Sequence, residues 1–223
     1  MKKKWIASIA VASMLVGGGV GAFGASNLQE IKAYLDGGLK FKLNGQAYIP
    51  TNDKGGAVLP ITYNGTTYLP VRAISNALNT AISYDAKTKT ISLGEQTEGT
   101  PIAQGFENMY HTKDPALTSY NGKDYKEVFF DNAPSKRGTS FMLYPKGKYQ
   151  KLVLQVAAIG SDIEKFEIID SGKDIVLKTV SVNVADGLKT IEVDIGGVTE
   201  LYINGDVQEG GKVFVPLTTS YYK

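Results

Sequence analysis

Five side chains have the types that hold small polar ligands: Tyr110, His111, Tyr120, Tyr125 and Arg137. The first four lie in the loop-rich run "ENMYHTKDPALTSYNGKDY", and Arg137 follows "DNAPSK". A Tyr ring offers an apolar face with a polar tip, and a guanidinium offers five N–H donors. Such a set can stack on a sugar ring and hydrogen-bond its hydroxyls. The same aromatics have a second reading, in which they close one end of a β-structure, because a buried Tyr with a satisfied hydroxyl is ordinary. Asp114, Asp131 and Asn132 add oxygens that could hold a structural Ca²⁺, but no spaced calcium-loop motif accompanies them.

Other chemistry is excluded by what the chain lacks. It has no Cys and a single His, which removes disulfides, thiolate nucleophiles, thiolate metal sites and multi-His metal centres. There is no G-x-S-x-G elbow, no phosphate-cradling Gly loop and no H-E-x-x-H. Its 22 carboxylates include no pair marked out by spacing, and His111 as a catalytic base would need a positioned Ser and Asp. The sequence therefore reads as non-catalytic, without cofactor or resident metal.

The formal charge of +2 comes from 24 basic and 22 acidic residues. Setting aside Lys2, Lys3 and Lys4 leaves 21 basic residues against 22 acidic ones. No dense basic run follows, so nucleic acid is not an expected partner. Those three lysines open "MKKKWIASIAVASMLVGGGVGAFGAS", in which an apolar stretch and then small residues follow a cationic start. This is the layout of a secretory signal peptide over residues 1–25, with Ala22-Phe23-Gly24 as the cleavage motif. The alternative is an uncleaved anchor, since Trp5–Ala25 is 21 residues without a charge, although its Gly-rich second half argues against a span. No second stretch of that kind occurs, so the expected location is secreted, with wall association open and no membrane span after cleavage.

Two modules follow. In residues 28–94, "LKFKL" alternates apolar and Lys residues, Asn44-Gly45 follows, and "QAYIP" completes the pattern. "LPITY", Asn64-Gly65 and "TTYLP" repeat it. Alternating runs around Asn-Gly predict type I′ hairpins, and the Pro that ends each cannot donate to a ladder. Val71, Ile74, Ala77 and Leu78 then share one face of a short helix, with Asn79 as its C-terminal cap. "AISYDAKTKTISLG" predicts a closing hairpin. Arg72 offers an anion contact, but an Arg that packs its stem on the sheet and pairs with an acid such as Asp85 is the expected role.

"ITYNGTTYLPVRAISNALNTAISYDAKTKTISLG", with the opening "IKAYLDGGLKFKLNGQ", resembles the copper amine oxidase N-terminal-like (stalk) domain of exported bacterial proteins. The chain departs from that pattern at Asn79, where the family commonly has Gly. The resemblance implies a small α+β module appended to other extracellular domains. It implies no catalysis, since copper amine oxidase chemistry needs three His ligands and a modified Tyr.

"GEQTEGTP" is a polar boundary, and residues 95–101 read as a linker. In 102–223, "KEVFF", "TSFMLY", "YQKLVLQVAAI", "KFEII", "IVLKTVSV", "KTIEVDI", "TELYI" and "KVFVPL" alternate in apolar character between turn clusters. That pattern predicts an antiparallel β-sandwich or jelly roll, and a mainly β chain as a whole. "GTSFMLYPKGKYQKLVLQVA", "EKFEIIDSGKDIVLKTVSV" and "GLKTIEVDIGGVTELYIN" resemble the NPCBM-like, galactose-binding-type jelly roll. The resemblance implies binding of a glycan or another cell-surface ligand through loops at one end. Two partners are therefore expected as alternatives, a cell-wall glycan or an envelope protein docked without a small ligand. The oligomeric state is not fixed by sequence.

Overall fold

The computed structural model describes residues 28–52, 54–95 and 98–223. The expected export signal at 1–25 lies outside them. Among the described residues no helix is long and apolar enough to cross a membrane.

The first module is built from short pieces. In chain order these are β1 (Tyr34–Leu35), β2 (Phe41–Leu43), β3 (Gln46–Tyr48), β4 (Ile61–Tyr63), β5 (Thr66–Tyr68), α1 (Val71–Ala77), β6 (Ile82–Asp85) and β7 (Thr90–Leu93). β2–β3 and β4–β5 are the two expected hairpins. Asn44 and Gly45 sit at φ 49° and 82°, and Asn64 and Gly65 at 47° and 73°, so both turns take the left-handed geometry that Asn-Gly tolerates best. β1 adds to β4, while β2–β3 and β6–β7 stay as separate ladders.

A seven-residue helix cannot stand alone. Ala73 and Ser75 bury α1 against the module, and the Tyr48 hydroxyl donates to Ala73 O at 3.1 Å. Its end is a Schellman closure. Asn79 stands at φ 49°, its N–H meets Asn76 O at 3.3 Å, and Thr80 N–H meets Ser75 O at 2.8 Å. Outside this contact the module buries little. Ile49, Tyr84, Ile91 and Leu93 are all more than half exposed.

The second module is an antiparallel β-sandwich, and the chain is mainly β. Its strands are β8 (Thr100–Pro101), β9 (His111–Thr112), β10 (Ser119–Tyr120), β11 (Lys123–Asp124), β12 (Val128–Asp131), β13 (Arg137–Leu143), β14 (Lys151–Ile159) and β15 (Ile163–Asp170). They continue with β16 (Ile175–Val182), β17 (Lys189–Asp194), β18 (Leu201–Val207), β19 (Lys212–Pro216) and β20 (Tyr221–Tyr222). One sheet runs β8-β20-β14-β19-β12-β9, with β17 joined to β14, and the other runs β13-β18-β15-β16. All eight runs expected as strands are strands. The five added ones are two residues long, too short for periodicity to reveal. β8 shows that the polar stretch before residue 102 ends inside the larger sheet, paired to β20.

Leu152, Leu154, Val156 and Ala158 on one face of β14 meet Phe141, Phe166, Ile168 and Ile203 of the other sheet in a continuous core. β14 is also buried on its outer side, where Ala157 lies with Val128 and Phe214. The β10–β11 hairpin covers that patch. It turns at Asn121 and Gly122, at φ 48° and 78°, a third copy of the Asn-Gly device inside a segment that reads as loop.

The modules touch through a small polar junction. Gln150 Oε1 accepts from Ala81 N at 2.9 Å, and its Nε2 donates to Asn79 O at 3.3 Å and Asp194 Oδ1 at 2.8 Å. Ile82 N donates to Gly147 O at 3.1 Å. Glu95 pairs with Lys151 at 3.1 Å and Lys223 at 2.8 Å, fixing the end of the first module to the sandwich edge.

Candidate functional site

The five residues named from sequence are not gathered in one place. Tyr110 packs edge-on against Phe129, with centroids 5.9 Å apart. His111 Nε2 lies 2.8 Å from Glu127 Oε1, and its ring stands edge-on to Phe106 at 5.4 Å. This pair borders the inner core. Tyr120 stacks on Phe214 at 5.4 Å and Tyr125 meets the same ring edge-on at 5.7 Å, both on the outer side of the sheet. Tyr125 is buried.

Arg137 is committed internally. Its Nε and Nη2 reach Asp131 Oδ1 at 2.8 and 2.6 Å, Nη2 donates to Asp131 O at 3.2 Å, and Nη1 donates to Ser135 O at 2.8 Å. Asp114 turns its carboxylate onto Ala116 N at 3.0 Å. Among the described residues no three acidic or His side chains converge as a metal site. Arg72 lies half-buried on α1 with partners of its own. Asp85 caps the β6–β7 turn, and the Thr88 hydroxyl and Lys87 amide hold its carboxyl below the usual range.

A concave feature of the sandwich lies apart from all of these residues. A groove of about 430 Å³ runs between the strap 100–106 and the loop 144–149 that joins β13 to β14. The strap is stitched down by Ile102 N to Ser220 O at 3.0 Å and Ala103 N to Leu217 O at 3.1 Å. The loop is pinned from two sides. Lys146 N and Gly147 N donate to Thr199 O and Val198 O at 3.1 and 2.8 Å, and Gly147 O accepts from the first module. Neither wall needs to move to present its side chains, which is what a preformed pocket requires.

Tyr149 and Tyr222 stack at 4.9 Å with planes 15° apart, forming one aromatic side of the groove. Tyr144 adds a half-exposed ring at the mouth. Burial, with Tyr149 alongside, pushes the Tyr222 hydroxyl above the ordinary phenol range, so it stays a neutral donor and acceptor. Thr100, Gln104, Lys146 and Lys148 supply the remaining polar side chains. Apolar ring faces beside a few oriented donors make a surface for a polyhydroxylated ligand. Sequence reading missed this set, although "YPKGKY" carried a signal. Two Tyr bracket a Gly turn bearing two Lys, and the chain closes on Tyr221-Tyr222. Only the fold shows that β20 returns Tyr222 to Tyr149.

Residues 40–112 match the family model of the copper amine oxidase N-terminal domain. The matched span takes in the hairpins and α1, and runs past β7 into β8 and β9. The matched family is the N-terminal domain of copper amine oxidase, which fits a non-catalytic, stalk-like module. Comparison with curated proteins yields no match.

Proposed function

We propose that this is an exported, non-catalytic surface or wall-associated protein, whose sandwich recognises glycan and whose first module acts as a stalk-like spacer. The observation that carries the reading is the groove between the strap 100–106 and the loop 144–149, with Tyr144 and the Tyr149–Tyr222 stack on its walls. The likeness of the sandwich sequence to NPCBM-type jelly rolls supports the same ligand class. The sequence pattern of residues 1–25 supports export. Retention of the full chain on insoluble cell-wall polysaccharide tests the reading. Tyr144→Ala should weaken retention several-fold, because a stacking ring contributes about 1 kcal/mol, while leaving Tm unchanged at this exposed position. Wild-type protein that passes through every wall fraction contradicts it.

One observation favours a second role for the first module. Leu69, Val71, Ile74, Leu78 and Leu93 border an apolar depression of about 330 Å³ beside α1. Exposed apolar surface of this kind suits docking of an envelope protein. Cross-linking from Leu78 or Leu93 replaced by a photoreactive residue tests this. Cross-links to an envelope protein support docking, and none in intact cells removes it.

A further inference from the structure

We infer that β7 is a pairing edge for a second copy of this chain, the two copies joining in one antiparallel ladder across a two-fold axis at Ser92. The inference is independent of the glycan reading and rests on the backbone of the β6–β7 hairpin. Gly94 N donates to Ala81 O at 2.9 Å, and the register sets Ile82 opposite Leu93 and Tyr84 opposite Ile91. Hydrogen-bonded and non-bonded pairs alternate along an antiparallel ladder, so 81–94, 83–92 and 85–90 are the bonded pairs. The N–H and C=O groups of Ile82, Tyr84, Ile91 and Leu93 therefore point out of the hairpin. On the β6 side the sandwich meets this edge, where Ile82 N donates to Gly147 O at 3.1 Å. The β7 edge is turned away from that contact. Among the described residues no strand but β6 pairs with β7, and all four of its residues are exposed.

Charged side chains, Pro or a bulge commonly blunt an open edge. β7 reads Thr-Ile-Ser-Leu, with no charge and no Pro, and its ladder with β6 runs without a register shift. With β6 it is the longest strand of the first module. Its apolar side is open as well. Tyr84, Ile91 and Leu93 are each more than half exposed, and Leu93 borders the same depression as the exposed Leu69, Val71 and Leu78.

Register selects a second copy as the occupant. Residues directly opposite in an antiparallel pair share a face, so Ile91 and Leu93 need apolar residues across from them. β7 set against itself about Ser92 provides them, with Ile91 facing Leu93 of the second copy and Leu93 facing its Ile91. These are also the residues whose backbone groups point outward, so the pairing forms four N–H to O=C bonds. A shift of one residue turns Ile91 toward Ser92, whose backbone groups are engaged with β6. Moving the axis to Ile91 sets Leu93 against Lys89, which stands at φ 55° outside the strand, and leaves two bonds. Two such strands and their half-exposed side chains bury on the order of 1,000 Å² in all, the low end for a specific interface. That area fits a dimer that forms and separates with concentration, not an obligate one.

The chain contains no Cys, so a single introduced thiol reports the register. Full-length Ser92→Cys and Thr90→Cys are each oxidised with diamide at low micromolar concentration and read on non-reducing gels. Across the proposed axis the two residues 92 form a non-bonded pair with Cα atoms about 4.5 Å apart, within disulfide reach. Residue 90 faces Gly94 of the second copy, so the two residues 90 stand about 13 Å apart, out of reach. Both positions are exposed on the same side of the strand, so the thiols are equally accessible and Tm should hold. Covalent dimer should form about tenfold or more faster from Ser92→Cys than from Thr90→Cys. In sedimentation velocity the wild-type chain should shift from monomer toward dimer as its concentration is raised a hundredfold. Ser92→Lys, which sets like charges face to face, should abolish that shift, and mixing it with Ser92→Glu should restore it. Equal cross-linking rates at positions 90 and 92, or no cross-link at either, overturn the inference. A wild-type chain that stays monomeric across the concentration range overturns it too.

Discussion

Replacing Arg137 by Met separates a structural role from a ligand-binding one. Asp131 is fully buried, and its Oδ1 receives Arg137 Nε at 2.8 Å and Nη2 at 2.6 Å. The other help to Oδ1 is a long bond from Ala133 N at 3.3 Å, and Oδ2 is buried with no partner. Arg137→Met thus leaves a carboxylate in the interior with one weak donor. Breaking a buried pair from one side costs about 3–5 kcal/mol, because the remaining charge is uncompensated. For a sandwich of this size the loss lowers Tm by on the order of 10 °C or more. Removing the charge as well, in Asp131→Asn/Arg137→Met, should recover about 2 kcal/mol of the loss, and the double-mutant cycle should show strong coupling. Trp5 is the only tryptophan and lies outside the two modules, so urea unfolding is best followed by far-UV circular dichroism. Arg137→Met that moves stability by less than about 0.5 kcal/mol, yet abolishes glycan retention, would refute the structural assignment.

Three further outcomes are expected. Asp124 is held down to about 2 by the Lys126 ammonium and then the Thr118 hydroxyl. Its folded pKa lies below the unfolded value of about 3.9, so its stabilisation is present above about pH 4 and is lost as pH falls through about 2. Carboxyl NMR titration should place the midpoint near the lower value, with β10–β11 amide protection falling over the same window, and an unshifted midpoint contradicts the geometry. Asn79→Gly should keep or slightly raise amide protection across α1, whereas Asn79→Ala should lower stability by about 1 kcal/mol, because residue 79 sits at φ 49°. A Cβ at Gly196 would collide with the Asn79 carbonyl and the Gln150 amide, so Gly196→Ala should open the junction. Limited proteolysis around residues 94–99 should then accelerate while the sandwich stays folded, and an unchanged cleavage rate would show that the junction tolerates the methyl group.

Much of the fold was legible because its signals are local. Asn44-Gly45 and Asn64-Gly65 specify their turns, the 71–78 spacing specifies α1, and runs such as "KTIEVDI" and "KLVLQVAAI" specify long strands. Asn79 was legible as a cap because only Asn and Gly take that conformation cheaply. Two-residue strands were not legible, since two positions carry no period. The β10–β11 hairpin was missed although Asn121-Gly122 had the right turn residues, because the flanking runs are too short and polar to alternate. The candidate site was hardest. Tyr120 and Tyr125 have the composition of a binding surface but cover Phe214, and Arg137 has the chemistry of an anion contact but neutralises Asp131. The groove depends on Tyr149 and Tyr222, 73 positions apart and brought together by the β14–β20 pairing and the Gln150 N to Lys223 O bond.

The location of the bound glycan tests the central claim most directly. Backbone and aromatic NMR shifts should be recorded while the retained polysaccharide's oligomers are titrated into the full chain. The groove predicts that Gln104, Tyr144, Lys146, Lys148 and Tyr149 move together with one saturation curve. Shifts confined to Tyr120 and Tyr125, or to the first module around Ile91 and Leu93, would contradict it.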